Sequence, residues 1–254
     1  MGRPLGRGGL SRRRARGYHP GVTYRAVFFD AGETLVHPAP TFPELFASIV
    51  TREGYPRAPE DVVAASAVVM DRFSEAARDR ELWTTSPERS RAFWLGVYER
   101  MLGALGLPSA DGLRDTLYRE FTDLRNYALF DDVRGVLGDL AAAGMRLGIV
   151  SNFEAWLEEL LGALDVRDAF PVRVISGVEG MEKPDPRIFE LAMSRAGVAA
   201  EDSVYVGDNP EFDVDPPASL GMTAVLIDRR DRHPEHDGVR VRDLRDLPGV
   251  LEAA

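Results

Sequence analysis

Five short, mostly apolar runs, each closing on a small polar or acidic residue, constrain this chain more than any other feature. Ala26-Val27-Phe28-Phe29 runs into Asp30, and Leu147-Gly148-Ile149-Val150 into Ser151-Asn152. Val172-Arg173-Val174-Ile175 ends at Ser176, Val204-Tyr205-Val206 at Gly207-Asp208, and the run from Thr223 to Ile227 at Asp228. Runs of this kind read as strands buried on both faces, as found inside a parallel sheet. Helical patterns fill the intervals: Asp131 to Ala143 closed by Gly144, Trp156 to Leu164, Pro184 to Ala196 stopped by Gly197, and a short helix over 217–221. Strands alternating with helices predict right-handed βαβ crossovers, so the strand ends share one edge and their polar residues converge there.

Between Thr41 and about Arg125 the pattern is helical throughout. Phe42, Leu45, Phe46, Ile49 and Val50 recur at helical spacing, as do Val62, Val63, Val69 and Phe73. Further sets are Phe93, Trp94, Val97, Tyr98, Met101 and Leu102, then Leu113, Leu117, Phe121 and Leu124. Pro43, Pro59 and Pro87 stand near three helix starts, where the missing N–H costs little. The reading is a helical insertion of roughly four helices over 41–125, set into a core made of 23–40 and 126–254. Trp83, Phe93 and Trp94 read as its packing, with one of them free to line a substrate side.

Residues 1–22 are rich in Gly, Arg and Pro without apolar periodicity and read as a disordered, Arg-rich tail. Six arginines in residues 1–20 stand against no acid; setting those charges aside takes the net charge from −10 to −16. So acidic a body argues against nucleic acid as a partner. No apolar run approaches the ~20 residues that span a bilayer. The absence of cysteine excludes disulfides and thiolate metal sites and fits a reducing cytoplasm. Of the 31 basic residues, Lys183 is the single lysine. A tight site can demand a compact ammonium where the planar guanidinium fork does not fit.

Asp30, Asp208 and Asp213 resemble an oxygen-rich Mg2+ site, completed by water and substrate phosphate oxygens. Lys183, in Glu182-Lys183-Pro184-Asp185-Pro186, is placed to offset charge on a nucleophile and a phosphoryl group. Thr34 and Ser151 offer hydroxyls. Together these are the parts of phosphoryl transfer through an aspartyl-phosphate.

Asp30-Ala31-Gly32-Glu33-Thr34-Leu35, Ser151-Asn152, Lys183-Pro184 and Gly207-Asp208 with Asp213 resemble the four ordered motifs of the haloacid dehalogenase superfamily. The likeness covers about residues 24–228. Asn152-Phe153-Glu154 and the surroundings of Lys183 look closest to one branch of it. The resemblance implies a Rossmann-like parallel-sheet α/β core and makes the helical insertion a C1-type cap that closes over the site. It implies Asp30 as nucleophile, with Asp30, the Gly32 carbonyl, Asp208 and Asp213 holding Mg2+. Ser151, Asn152 and Lys183 would bind phosphate, with Ser151, Lys183 and Thr34 assisting catalysis. A small phosphorylated metabolite is the implied substrate, in a cytoplasmic enzyme without a membrane or nucleic-acid partner.

Two departures stand out. Phosphatases of the superfamily usually carry a second aspartate two residues after the nucleophile, as general acid and then base; here that position is Gly32. Glu33 could reach the leaving oxygen, or the substrate could carry a good leaving group such as an acyl phosphate. Alternatively the scaffold is a catalytically silent binding protein. A 2-haloacid dehalogenase is a further alternative, since that chemistry also lacks the second aspartate. The other departure is Asp215-Pro216-Pro217, whose prolines should alter the loop carrying Asp213. His37 reads as a surface residue, and Arg229-Arg230-Asp231-Arg232-His233 as a solvated loop.

Overall fold

In the computed structural model the structure describes residues 24–109 and 111–252; the Arg-rich segment over 1–22 lies outside them. Strand β1 (Ala26–Phe29) is fully buried, and β2 (Val36–Pro38) leads out of it into five helices. These are α1 (Phe42–Arg52), α2 (Pro59–Ala65), α3 (Ala67–Asp79), α4 (Pro87–Ala104) and α5 (Asp111–Phe121). Strand β3 (Tyr127–Leu129) returns antiparallel to β2, with Val36 opposite Leu129, so the two chain crossings are zipped together. There follow α6 (Val133–Ala142), β4 (Arg146–Ser151), α7 (Leu157–Ala163), β5 (Val172–Ile175) and the single turn α8 (Ser176–Glu179). The chain closes with α9 (Pro186–Ala196), β6 (Ser203–Gly207), α10 (Asp215–Ser219), β7 (Thr223–Ile227), β8 (Val239–Val241) and α11 (Leu247–Glu252).

Six strands form one parallel sheet in the order β5-β4-β1-β6-β7-β8. Alternation of side chains on β1 sets the two core layers. Val27 and Phe29 pack with Val136, Leu140, Leu157 and Leu160 of α6 and α7, whereas Ala26 and Phe28 face Ile188, Phe189 and Ala192 of α9. Successive strands are added outward on either side of β1, so the sheet's order reverses there. A parallel sheet opens a crevice at such a point, beyond the strands' carboxyl ends. Strand β8 is an edge strand whose three residues are too few to show a pattern in the sequence.

The insertion has a core of its own, in which Phe46, Val97, Met101, Leu102 and Leu117 are fully enclosed. Pro43, Pro59 and Pro87 occupy first-turn positions of α1, α2 and α4. Five helices form where the apolar pattern gave roughly four. Val62, Val63, Val69 and Phe73 belong to two helices, because the chain breaks at Ser66 between α2 and α3. Periodicity carries across so short a break without registering it. Among the described residues no helix is long and apolar enough to cross a membrane.

Candidate active site

Strand order brings the motifs together. β1 lies between β4 and β6, so Asp30, Ser151 and Asp208, each at or just past a carboxyl end, become neighbours. The Asp30 amide donates to the Val206 carbonyl at 2.9 Å and continues the ladder one residue beyond the strand. Its carboxylate Oδ1 accepts from Ser151 Oγ at 2.8 Å and from Lys183 Nζ at 2.8 Å.

Lys183 is the hub. Its ammonium also donates to Asp213 Oδ1 at 2.6 Å and Tyr205 OH at 3.1 Å. Burial opposes its charge, but the Asp213 and Asp30 carboxylates outweigh that and lift its pKa to about 12. Asn152 fixes the backbone of this lysine: its Nδ2 donates to the Lys183 carbonyl at 2.8 Å and its Oδ1 accepts from the Lys183 amide at 2.7 Å. Asn152 thus positions Lys183 while lining the same cavity as the carboxylates. Tyr205, unremarked in the sequence because it sits inside an apolar strand, donates to the Val150 carbonyl at 2.7 Å and braces the lysine from below.

Asp213 lies in a single wide turn over Pro210–Val214, and Pro216 and Pro217 then fall in the first turn of α10, where they remove no helix hydrogen bond. The proline pair leaves Asp213 in the cluster, where the Asn209 amide donates to its Oδ2 at 3.0 Å. Gly207 makes that approach feasible. A Cβ there would fall on the carboxyl of Asp213.

Carboxylate oxygens of Asp30, Asp208 and Asp213 lie within 4.8 Å of one another. Burial and the charges of Asp213 and Asp30 push the Asp208 carboxyl well above its usual range, and burial raises Asp213 in spite of Lys183. One ammonium does not neutralise three acids, and the donors are all oxygen. The site fits a hard divalent cation such as Mg2+.

Thr34 is fully buried; its hydroxyl has no partner among the described residues, and its carbonyl accepts from Arg229 at 2.8 Å. It is absent from the wall of the cavity that Asp30, Gly32, Lys183, Asp208 and Asp213 line. Ser176 and Asp228 also stay out of the cluster. Ser176 Oγ accepts from the Phe153 amide, and Asp228 accepts from the Arg232 and His233 amides and from Arg240. The polar ends of β5 and β7 therefore serve structure.

The Arg229–His233 loop, read as solvated, is anchored instead. Arg229 pairs with Asp132 at 2.7 Å, its guanidinium 3.9 Å from the Phe130 ring centroid. Arg230 pairs with Glu33 at 2.8 Å, and Arg230 and Arg232 line the cavity. Glu33, in the left-handed region at φ 54°, is therefore engaged by a guanidinium. His37 stacks on Phe130 at 4.4 Å and does not line the cavity.

Two core carboxylates hold the insertion; both fall in the motif stretches, but the sequence does not show their partners. Glu182 is buried and accepts from the amides of Trp83 at 2.9 Å and Thr84 at 2.7 Å, and from the Thr84 hydroxyl. Glu154 accepts from Ser90 of α4 at 2.7 Å and Tyr118 of α5 at 3.2 Å. The motif strand end and the lysine loop are thus tied to the insertion opposite, through α4 and α5 and through the connection before α4.

A family model of haloacid dehalogenase-like hydrolases matches residues 24–221. The chain belongs to that family. Among the haloacid dehalogenase-like hydrolases it is 28% identical to the Danio rerio haloacid dehalogenase-like hydrolase domain-containing protein 3, over 91% of this chain and 98% of that protein. It is 33% identical to a phosphoserine phosphatase of Thermus thermophilus, over 65% of this chain and 70% of that one. In structure it is similar to an L-2-haloacid dehalogenase, with TM-score 0.72 and 25% identity over 91% of this chain and all of the other. The chain is thus a hydrolase of this family with phosphatases among its relatives, built on the family's parallel-sheet core.

Proposed function

We propose that this hydrolase is a Mg2+-dependent phosphomonoesterase that works through phosphorylated Asp30, with the helices of 41–125 as the cap over its site. The observation that carries the reading is the Asp30 carboxylate: one oxygen takes both the Ser151 and Lys183 hydrogen bonds, beside Asp208 and Asp213. Those bonds fix the rotamer and leave Oδ2, which carries neither, to attack. Asp30 Oδ2 forms a bond to phosphorus as the ester P–O bond breaks, and the leaving oxygen takes a proton from water. A second water then attacks the phosphorus of the aspartyl-phosphate, restoring the carboxylate and releasing phosphate, and the proton it gives up neutralises the hydroxide left by the first. Net, one ester and one water become one alcohol and one phosphate.

Ser151, Asn152 and Lys183 are the phosphate side of the site. Lys183 balances charge in both half-reactions without moving, because Asn152, Asp213 and Tyr205 hold it from three directions. Asp30, Asp208, Asp213 and the Gly32 carbonyl would hold Mg2+, which supplies charge neutralisation at the phosphoryl oxygens when bound. Gly32 offers no carboxyl and Glu33 is committed to Arg230, so among the described residues no acid is placed to protonate the leaving group. That feature supports a second reading, a phosphate-binding protein with little turnover. A substrate of weak basicity at the leaving oxygen reconciles the site with catalysis.

The test is phosphate release from a panel of graded leaving groups, from alkyl phosphates to an acyl phosphate, with Mg2+ or with chelator. A 2-haloacid serves as the halide-release control. Mg2+-dependent release that steepens with leaving-group quality is expected. No release from any member would favour the binding protein, and metal-independent halide release would favour dehalogenation.

A further inference from the structure

Between the Asp30 cluster and the insertion lies a cavity of about 550 Å3, a volume typical of pockets that enclose drug-sized ligands and far more than a phosphoryl group fills. Its two sides differ in kind. Every charged residue on its wall comes from the core: the aspartates, Lys183, Glu33 with Arg230, Arg232 and Glu154. Among the described residues the insertion contributes none. Its share is chiefly aromatic and aliphatic, with Phe42, Phe73, Trp83, Trp94, Tyr98 and Phe121 on the wall.

These rings form a connected surface. Phe73 meets Trp83 edge-on at 5.4 Å and Trp94 at 5.9 Å, Trp94 stacks with Tyr98 at 6.0 Å, and Tyr98 with Phe121 at 5.7 Å. The core side continues it through Phe153 and Trp156, 4.6 Å apart. Glu154, the acid nearest these rings in the chain, already accepts hydrogen bonds from Ser90 and Tyr118.

We infer that the leaving group accepted here is an uncharged aromatic or extended apolar alcohol, so that the substrate class is a bulky aryl or aralkyl phosphomonoester. This rests on the phosphatase reading above. A leaving group bearing an ammonium, carboxylate or second phosphate would lose its hydration against rings that return no opposite charge, which is unfavourable. An aromatic body gains burial and edge-to-face contacts on the same wall. The aryl members of the class agree with the missing acid. A phenolic leaving oxygen is a weaker base than an alkoxide and departs with less help from a proton donor.

The experiment measures binding rather than turnover, so that it stands apart from catalysis. The full chain with Mg2+ is titrated calorimetrically with methylphosphonate, naphthylmethylphosphonate, carboxyethylphosphonate and trimethylammonioethylphosphonate. Naphthylmethylphosphonate should bind at least about 50-fold tighter than methylphosphonate, from the aromatic area it buries. The two charged compounds should bind no tighter than methylphosphonate. Equal affinities, preference for either charged tail, or no detectable binding of any member would overturn the inference. Preference for the trimethylammonio compound would assign the rings and Glu154 to a cationic group. Phosphate release from naphthyl and phenyl phosphate is measured in parallel. Tight naphthyl binding without release sinks the phosphatase reading alone, and release without the predicted order of affinities sinks this inference alone.

Discussion

Replacing Gly32 with Asp is the sharpest perturbation the site offers. A Cβ at position 32 would meet no heavy atom within 4 Å, and the backbone there lies outside the left-handed region. The substitution is therefore sterically accommodated, and the lost glycine freedom contributes about 0.4–1 kcal/mol to stability, set against repulsion from the neighbouring carboxylates. The new carboxyl would stand two residues past Asp30 on the wall of the same cavity. Each carboxylate on the order of 6 Å away would repel it by about 3 kcal/mol at an effective dielectric of about 20. That corresponds to roughly two pKa units and holds the new group toward its protonated, proton-donating form. A placed general acid is worth about 10²–10⁴-fold in rate, or about 3–5 kcal/mol of barrier. The assay is kcat/KM for Mg2+-dependent phosphate release from an alkyl phosphate and an acyl phosphate. Gly32→Asp should gain at least about 100-fold on the alkyl ester and little on the acyl phosphate, whose leaving group needs no proton. Gly32→Asn, the same shape without the acid, should gain nothing. Equal gains on both substrates, or an equal gain from Asn, would refute the reasoning.

Asp30→Asn should leave the fold intact and phosphate release at background, since an amide oxygen is a poor nucleophile toward phosphorus; surviving turnover would remove Asp30 from its role. Lys183→Met leaves Asp30 and Asp213 buried without their shared cation, which should destabilise the protein by about 3–5 kcal/mol in urea unfolding. A loss below about 1 kcal/mol, the size of an exposed ion pair, would mean that the ammonium is not structurally required. Burial raises Glu182 above the usual glutamate value of 4.5, against hydrogen bonds from Thr84 and Trp83 that favour its charge. The stability supplied by its proton is complete below about pH 4.5 and is lost as pH rises through the raised value. The stability of the natural chain relative to Glu182→Gln should therefore increase as pH falls toward that range. Parallel pH profiles for the two proteins would contradict it.

Much of the core was legible in the chain. The apolar runs ending in Asp30, Ser151 and Asp208 are the three central strands β1, β4 and β6, because burial on both faces forces a continuous apolar run. The solitary lysine in an Arg-rich chain is the hub of the site, and a compact ammonium suits a position that three buried side chains must share. The insertion was legible as helices but not as a count, since period survives the break at Ser66.

Periodicity reports that a residue is buried and not what it is buried against. Tyr205 reads as one more strand residue until β6 sets its hydroxyl beneath Lys183. Glu33 reads as a spare acid until the loop after β7 brings Arg230 to it. Glu182 and Glu154 stand in motif stretches along the chain, yet their partners lie 98 and 64 residues away in Thr84 and Ser90. Trp94 has the same helical spacing as neighbours that only pack, and Trp83 stands in the connection between α3 and α4; their place on the cavity wall depends on how the insertion sits over the sheet. The covalent order of the chain dictates which strands form and which residues end them. Pairings between distant residues are chosen by strand order and by the docking of one hydrophobic core on another, because the energy of each contact depends on both partners at once.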